Sequence, residues 1–331
     1  MSKYLLVLCI SITALTAAAQ RQNTYFFNKH DEFVKDKDSA FYVRLVQEPA
    51  PENPALYIVN EFYVSDGGKK STGFSSKIEP LVYEGNYVTY FKNGNKRSII
   101  NYKNGKRVDT VTNFYPNGRL YSQSVYTYDP SSKESLIYVK SVKDSTGKDL
   151  VIDGNGEALY YDEQFKTIIA RGNIRNGAYD GIWEGRVANP KMSYEDTYAA
   201  GKFISGESKD EQNKIYTYTK IRVLPKFKDG NSAFYKFLSK NMSYPKSMAA
   251  ERISGKVFLQ FTVKADGKLS NIKVVNKVEQ DFALEALRVL RQSPNWEPGQ
   301  IRGKSVDMLF NIPISFTLPQ ATSKRMITRR L

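Results

Sequence analysis

The chain has 331 residues, with 49 lysines and arginines against 34 aspartates and glutamates, a formal net charge of +15, one histidine and one cysteine. This length allows about two domains, because folding units usually have ~100–200 residues. A Cys/His zinc site needs about four ligands and is excluded. The lone His30 and Cys9 do not favour a Ser-His-Asp or Cys-His pair. The sequence therefore predicts a protein that is not an enzyme and has no metal or cofactor.

The N-terminus has the pattern of an export signal. Lys3 precedes an apolar run from Tyr4 to Ala19, and small residues end that run. A basic start, a short apolar segment and a small-residue end are typical of a secretory signal peptide. The run is shorter than the ~20 residues that a membrane-spanning helix needs. We predict a signal peptide over residues 1–19 and a periplasmic location; a retained inner-membrane anchor facing the periplasm is the alternative.

The segment after this signal, residues 20–221, is predicted to be a β-hairpin repeat domain. Aromatic residues followed by Asn-Gly recur at Asn93-Gly94, Asn104-Gly105 and Asn117-Gly118. Asn176-Gly177, followed by Asp180-Gly181-Ile182-Trp183, is a degenerate copy. Asn-Gly accepts the positive φ that both central positions of a two-residue hairpin require. The pattern is similar to MORN-type repeats, in which Gly-rich hairpins with Tyr and Trp form a long sheet.

Other parts of this segment fit the same prediction. Tyr57-Ile58-Val59 and Phe62-Tyr63-Val64 read as two short strands. Asp153–Glu157 resembles a calcium loop only faintly, because it lacks the spaced acidic ligands and the distal bidentate Glu. A hairpin turn is the better interpretation of that segment. Trp183, like Trp296 further on, is predicted to anchor a core.

The sequence pattern changes after Leu224-Pro225, and the predicted order of secondary-structure elements becomes α-β-β-α-β. The predicted elements are helices over 234–241 and 245–252, strands over 255–263 and 269–278, a helix from an Asp281 N-cap to Ser293, and a last strand over 305–316. Alternation in the first of these strands places Val257, Leu259, Phe261 and Val263 on one face. Together these elements predict a small α+β domain with a three-stranded antiparallel sheet.

The last predicted strand contains Pro313. Proline cannot donate to a sheet ladder, so this strand should lie at an edge. Its run from Ser305 to Ile312 is therefore a candidate for addition of an extended peptide. Two alternatives are an edge blunted by Asp307 and Pro313, and pairing in a homodimer.

Residues 225–318 resemble the TonB C-terminal domain. The motifs that carry this resemblance are Tyr244-Pro245, Gly255-Lys256-Val257, Asp266-Gly267-Lys268, Glu285-Ala286-Leu287-Arg288, Pro294 to Gly299, and Ile312-Pro313-Ile314-Ser315-Phe316. The resemblance implies that the domain, placed at 222–318, binds the TonB box of an outer-membrane TonB-dependent transporter as a strand added beside the last strand. The partner-binding residues that follow are Tyr244, Pro245, Lys246, Ser305, Val306, Asp307, Met308, Leu309, Phe310, Asn311 and Ile312.

Some positions depart from the family pattern. Ser247 and Ala249 stand where the best-known member has Arg and Gln, and Lys246 offers a nearby charge. The run from Tyr4 to Ala19 has no His of the kind that couples such anchors to the ExbB–ExbD motor. The long Pro-rich spacer of the family is replaced by the hairpins. Contact with ExbB–ExbD is therefore expected only if the N-terminal segment is retained.

Charge is concentrated in the C-terminal third. Residues 222–331 contain 20 Lys and Arg against 8 Asp and Glu, and residues 319–331 form a basic tail. Predicted export argues against a nucleic-acid partner, which leaves a solvated basic face or a field that steers an acidic protein.

The sequence as a whole thus predicts a mostly β protein with an α+β C-terminal domain, which supports energy-coupled transport by binding transporters. The alternative is an envelope interaction protein whose hairpins bind another protein or a cell-wall polymer.

Overall fold

A computed structural model describes residues 22–49, 54–129 and 134–318 of the chain. The predicted signal peptide (1–19) and basic tail (319–331) lie outside these residues. The described residues are mostly β, as predicted, and the helices among them belong to the C-terminal part.

The elements in the described residues are as follows. The strands are β1 Gln22–Phe27, β2 Phe33–Val34, β3 Tyr42–Gln47, β4 Tyr57–Tyr63, β5 Lys69–Ser75, β6 Tyr83–Tyr90, β7 Lys96–Lys103, β8 Lys106–Phe114, β9 Leu120–Asp129, β10 Glu134–Lys143, β11 Asp149–Ile152, β12 Asn155–Tyr161, β13 Ile168–Arg175, β14 Ala178–Ala188, β15 Lys191–Ala199, β16 Lys202–Asp210, β17 Ile215–Tyr218, β18 Arg222–Val223, β19 Gly255–Val263, β20 Leu269–Val274, β21 Gly299–Ile301, β22 Lys304–Val306 and β23 Met308–Phe316. The helices are α1 Gly230–Asn241, α2 Lys246–Ala250 and α3 Gln280–Arg291.

The chain forms two compact units. Among the described residues, one unit holds those up to Ala158 with Glu163–Lys166 and Ile174–Ala178, and the other holds Leu159–Asp162, Thr167–Asn173 and those from Tyr179 onward. In the first unit β3 to β12 form an antiparallel meander, in which each strand pairs with the next. In the second unit β14 to β17 form a meander of the same kind, and two three-stranded sheets follow.

Asn-Gly turns connect the strands, but in two geometries. Asn104-Gly105 and Asn176-Gly177 are two-residue turns with positive φ at both positions, as predicted. Asp153-Gly154 has the same form, which confirms a hairpin turn there. The two-residue prediction is wrong at Asn93-Gly94 and Asn117-Gly118. There the strands end two residues earlier, the connection is longer, and only the glycine has positive φ.

The predicted strands at 57–59 and 62–64 are one continuous strand, β4. The sequence interpretation broke it at Glu61, a charged residue that is only 1% exposed. Its carboxylate accepts hydrogen bonds from Arg44 Nε (2.8 Å), Lys70 Nζ (2.7 Å) and Ser71 Oγ (2.8 Å). Because these donors satisfy both oxygens, the strand continues through a buried charge.

Glycines inside the strands make room for aromatic rings on the next strand. A Cβ at Gly185 would lie 2.2 Å from the Tyr194 ring, and one at Gly206 would lie 2.4 Å from Tyr218. Trp183 covers Gly172 in the same way. Trp183 is 3% exposed and its Nε1 donates to the Asn173 carbonyl oxygen at 3.1 Å, so it is a core anchor as predicted. The repeating glycine and aromatic residues thus form the packing unit of the meander.

The three-stranded sheet β20-β19-β23 carries the C-terminal core. The predicted inward residues of β19 are all fully buried: Val257, Leu259, Phe261 and Val263. α3 packs on them through Phe282, Ala286, Val289 and Leu290. Trp296 completes this core and is 5% exposed, as its predicted anchoring role requires.

Several details of this domain differ from the sequence prediction. α1 begins at Gly230, four residues before the predicted start at Phe234. The N-cap of α3 is Glu279, not Asp281, whose carboxylate lies in the first turn and accepts a hydrogen bond from Ser247 Oγ. α2 begins at Lys246 and ends at Ala250, two residues short of the predicted end. β20 ends at Val274, because the Asn276 side chain takes the next bond to the Phe258 N–H. The short hairpin β21–β22 was not predicted.

Candidate functional site

The last strand lies at an edge of its sheet, as predicted. In the described residues β23 pairs with β19 along its whole length, from Gly255↔Phe316 to Val263↔Met308, and β20 lies on the other side of β19. The second side of β23 therefore carries backbone groups that no strand of this sheet bonds.

Pro313 shows which backbone groups face outward. It lies opposite Phe258, whose N–H donates to Asn276 Oδ1 (2.7 Å) and whose carbonyl oxygen accepts from the Val275 N–H (2.9 Å). The backbone groups of Phe258 thus point toward β20, which makes Phe258 and Pro313 a non-hydrogen-bonded pair of the β19–β23 ladder. Pro313 consequently turns its nitrogen to the free edge, where no donor is required.

The same alternation assigns the other residues of β23. Three residues lie an even number of positions from Pro313 along the strand, and their backbone groups therefore also face the free edge: Leu309, Asn311 and Ser315. Their side chains are exposed, Leu309 by 61%. The residues between them bond to β19 through their backbone and point their side chains to the core, namely Met308, Phe310 and Ile312. Of the predicted partner residues on this strand, Leu309 and Asn311 therefore offer free N–H and C=O groups.

The predicted edge from Ser305 to Ile312 is not one strand, which corrects the sequence interpretation. Ser305 and Val306 belong to β22, in the separate sheet β18-β21-β22. Asp307 lies between β22 and β23, and its carboxylate binds Lys264 Nζ and accepts from the Ala265 N–H (2.8 Å). The break arises because Asp307 closes the β19–β20 turn instead of continuing the ladder.

Tyr244, Pro245 and Lys246 lie at the other end of β23. The Tyr244 ring packs edge-on against Phe282 and Phe316, with centroids 5.7 and 6.1 Å apart, and its hydroxyl donates to the Ile253 carbonyl oxygen. Pro245 is the N-cap of α2 and Lys246, its first residue, is exposed. Phe316 is four residues beyond Ile312, about 13 Å along the strand. The structure therefore does not group these three residues with Ser305–Ile312.

The turn of the unpredicted hairpin β21–β22 is held by strands β15 to β17. Arg302 donates from Nη2 to Asp196 Oδ2 at 2.8 Å, and its guanidinium lies 3.5 Å from the centre of the Tyr194 ring. Ser208 Oγ donates to the Arg302 carbonyl oxygen at 2.7 Å. Asp196 is 1% exposed and also accepts from the Tyr218 hydroxyl. This contact is a buried, fully paired charge.

A second ion pair flanks the first. Lys304 Nζ lies 2.9 Å from Asp210 Oδ2, and the Tyr216 hydroxyl donates to the same oxygen at 3.0 Å. The hydrogen bond from Lys304 lowers the pKa of Asp210 to about 2, with help from the Lys214 backbone N–H. Two adjacent ion pairs therefore fix the β21–β22 hairpin of the C-terminal domain to the last strands of the meander. Sequence reasoning missed them, because partners 106 and 94 residues apart share no local pattern.

Comparisons with known proteins identify the domain. Residues 240–318 match the family model described as Gram-negative bacterial TonB protein C-terminal. The match runs from the last residues of α1 through β23 and so contains the free edge. No curated protein matches the chain. The chain therefore carries a TonB C-terminal domain at 240–318, which confirms the resemblance seen in the sequence.

The structure adds one observation that bears on location. None of the helices among the described residues is both long and apolar enough to cross a membrane.

Proposed function

We propose that the protein binds the TonB box of outer-membrane TonB-dependent transporters by strand addition to β23, and so supports energy-coupled transport. The observation that carries this proposal is a free edge strand inside the matched domain. Leu309 and Asn311 are its central contacts, since both turn N–H and C=O groups outward. The role is binding and not catalysis, in a periplasmic protein whose signal peptide is removed.

We also propose a division of labour along the chain. Residues 20–221 form a hairpin spacer, and residues 222–318 form the binding domain. The ion pairs Arg302–Asp196 and Lys304–Asp210 support this proposal, because they attach the binding domain to the meander at fixed positions. Because these ion pairs hold the domain in place, the edge strand β23 keeps one orientation relative to β15–β17.

Strand addition is tested with a synthetic TonB-box peptide and the full mature chain. N-methylation of single peptide amides removes one donor at a time. Methylation at alternate positions should weaken binding at least tenfold, because those amides bond the edge, while the positions between should tolerate it. Calorimetry or fluorescence polarisation reads the affinity. Uniform tolerance of all positions would contradict strand addition.

The protein side of the test uses Leu309. Leu309→Pro removes an outward N–H and should abolish most of the binding. Leu309→Thr removes the same exposed side chain but keeps the N–H, so it serves as the matched control and should bind as the wild type does. Circular dichroism and the melting temperature verify that both variants fold. Equal binding by both variants would exclude the edge of β23 as the site.

Intact mass of the protein from periplasmic and membrane fractions tests the proposed location. A chain that begins at Gln20 in the soluble fraction is expected. A chain that retains Met1 in membranes would overturn the cleaved form and support an anchored energy transducer, with ExbB–ExbD as its partner.

A further inference from the structure

A cavity of about 200 Å³ opens beside the free edge of β23, on the face of the sheet that carries the helices. Its strand wall is formed by Phe310, Ile312 and Pro313. Four aromatic residues form most of its other walls: Phe227, Phe234, Tyr235 and Trp296. Pro225, Lys226 and Asn231 complete the lining. Phe310 and Ile312 alternate along β23 with Leu309 and Asn311, whose backbone groups face the free edge.

The aromatic walls are held rigidly by one another. Phe227 and Phe234 meet the Trp296 ring edge-on, with centroids 5.7 and 5.6 Å apart, and Phe310 meets it at 5.7 Å. Trp296 Nε1 donates to Ser293 Oγ at 2.9 Å, which fixes the indole. Phe227, Phe234 and Trp296 are each less than 8% exposed. These rings form a preformed apolar surface that needs no rearrangement to receive a ligand.

One wall residue is unusually exposed for its type. Tyr235, on the outer side of α1, is 66% exposed. Asn231, one turn earlier on the same helix, is also exposed. The cavity is therefore bordered on the α1 side by two solvent-exposed side chains.

We propose that this cavity receives one apolar side chain of the extended peptide that adds to β23. This inference rests on the proposed strand addition. Whether two paired strands run parallel or antiparallel, residues that lie side by side on them place their side chains on the same face of the sheet. A peptide residue opposite Phe310 or Ile312 consequently points to the helical face, where these two residues line the cavity. The peptide residue opposite Asn311 points the other way.

The volume sets the class of side chain. A protein cavity of about 150 Å³ lined by apolar side chains accommodates benzene. A cavity of about 200 Å³ accordingly holds one Leu, Ile, Met or Phe side chain. The preferred ligand is therefore an extended segment with an apolar residue at a single position on its helix-facing side. Its other side chains can be polar.

The experiment is a substitution scan of the TonB-box peptide against the full mature chain. Each peptide residue in turn is replaced by Ser, and the affinity is measured by fluorescence polarisation. Replacement of the side chain that enters the cavity should weaken binding about tenfold, since burial of one apolar side chain is lost. Its immediate neighbours in the peptide should be much less sensitive.

A filled cavity provides the matching change in the protein. Asn231→Trp places an indole in the lining, while Ser232→Trp adds the same group at an exposed position of α1 that does not line the cavity. Asn231→Trp should remove the sensitivity of the one peptide position, and Ser232→Trp should leave it unchanged. Because both positions are exposed, both variants should fold as the wild type does, which their melting temperatures verify.

The outcomes separate the two proposals. Binding that depends on alternate peptide amides but on no apolar side chain would overturn the cavity assignment and leave strand addition intact. A sensitive position that Asn231→Trp does not affect would also overturn it. No binding of any peptide above a scrambled sequence would remove strand addition itself, and the cavity assignment with it.

Discussion

The meander strands β14–β17 and the sheet β20-β19-β23 bury their inner faces in different ways. In the meander, rings such as Tyr194 and Tyr218 lie over glycines of the preceding strand, so side chains of the sheet cover its own backbone. In the C-terminal sheet, α3 covers one face and four residues of β19 are completely buried. The first arrangement spreads stability over many small ring-on-glycine contacts. The second arrangement concentrates stability in one apolar core on one face of the sheet. That core does not require a further strand beside β23, whose outer edge stays free.

The two tryptophans make this comparison measurable, because one lies in each region. Trp183 reports on the meander and Trp296 on the C-terminal core. A Trp183→Phe or Trp296→Phe background therefore gives a separate fluorescence signal for each region during urea unfolding.

The largest expected effect is in the concentrated core. Phe261 is fully buried against Trp296, with ring centroids 5.3 Å apart. Phe261→Ala should reduce the free energy of unfolding of this region by about 3–5 kcal/mol, because it removes apolar contacts and leaves a cavity. Trp296 fluorescence in the Trp183→Phe background measures it. Phe258→Ala, on the same strand but 42% exposed, is the control and should cost less than about 1 kcal/mol. Equal losses would contradict a core confined to one face.

The next effect is at the attachment of the two regions. Asp196→Ala should cost about 3 kcal/mol, since it leaves the Arg302 guanidinium and the Tyr218 hydroxyl without their acceptor. Trp183, which lies opposite Asp196 in the ladder, reports this change in the Trp296→Phe background. Glu211→Ala, which removes an exposed ion pair with Lys191, should cost under about 1 kcal/mol. A negligible loss for Asp196→Ala would show that the attachment does not stabilise the meander.

A smaller effect is expected within the meander itself. Gly185→Ala places a methyl group against the Tyr194 ring and should cost about 1–3 kcal/mol through strain. The same substitution in a Tyr194→Ala background should cost less, because the ring that it meets is absent. Urea unfolding of the four proteins gives the coupling energy directly. If the losses of unfolding free energy from the two substitutions simply added, the packing of the Tyr194 ring would not depend on Gly185.

The smallest effect is a dependence of stability on pH. The pKa of Asp210 is lowered to about 2 by its hydrogen bond with Lys304. Since the unfolded value is about 4, the stabilisation is complete above pH 4 and is lost as the pH falls toward 2. Asp210→Asn should flatten the acid limb of the stability curve over this interval, and so should Lys304→Met. An unchanged slope in both variants would show that this pair makes no contribution.

Local pattern in the sequence predicted much of the fold. Alternation identified β19 and its buried residues, Pro313 identified the edge strand, and Asn-Gly identified the hairpins. Each of these features depends on residues close together in the sequence. The two-residue period of side chains marks a strand, the missing N–H of proline marks an edge, and the tolerance of Asn-Gly for positive φ marks a turn. For the same reason the motifs of residues 240–318 were recognisable without a structure.

Tertiary structure decided what local pattern does not encode. Glu61 lies inside β4 because Arg44 and Lys70 reach it from neighbouring strands, and Asp307 ends the β23 ladder because Lys264 binds it from 43 residues away. The cavity beside β23 likewise joins side chains from 225 to 313. A contact between distant residues depends on how the elements pack, and composition and periodicity do not specify that packing. The sequence by itself thus determined that an edge strand exists, and the packing determined that Leu309 and Asn311 are its open positions.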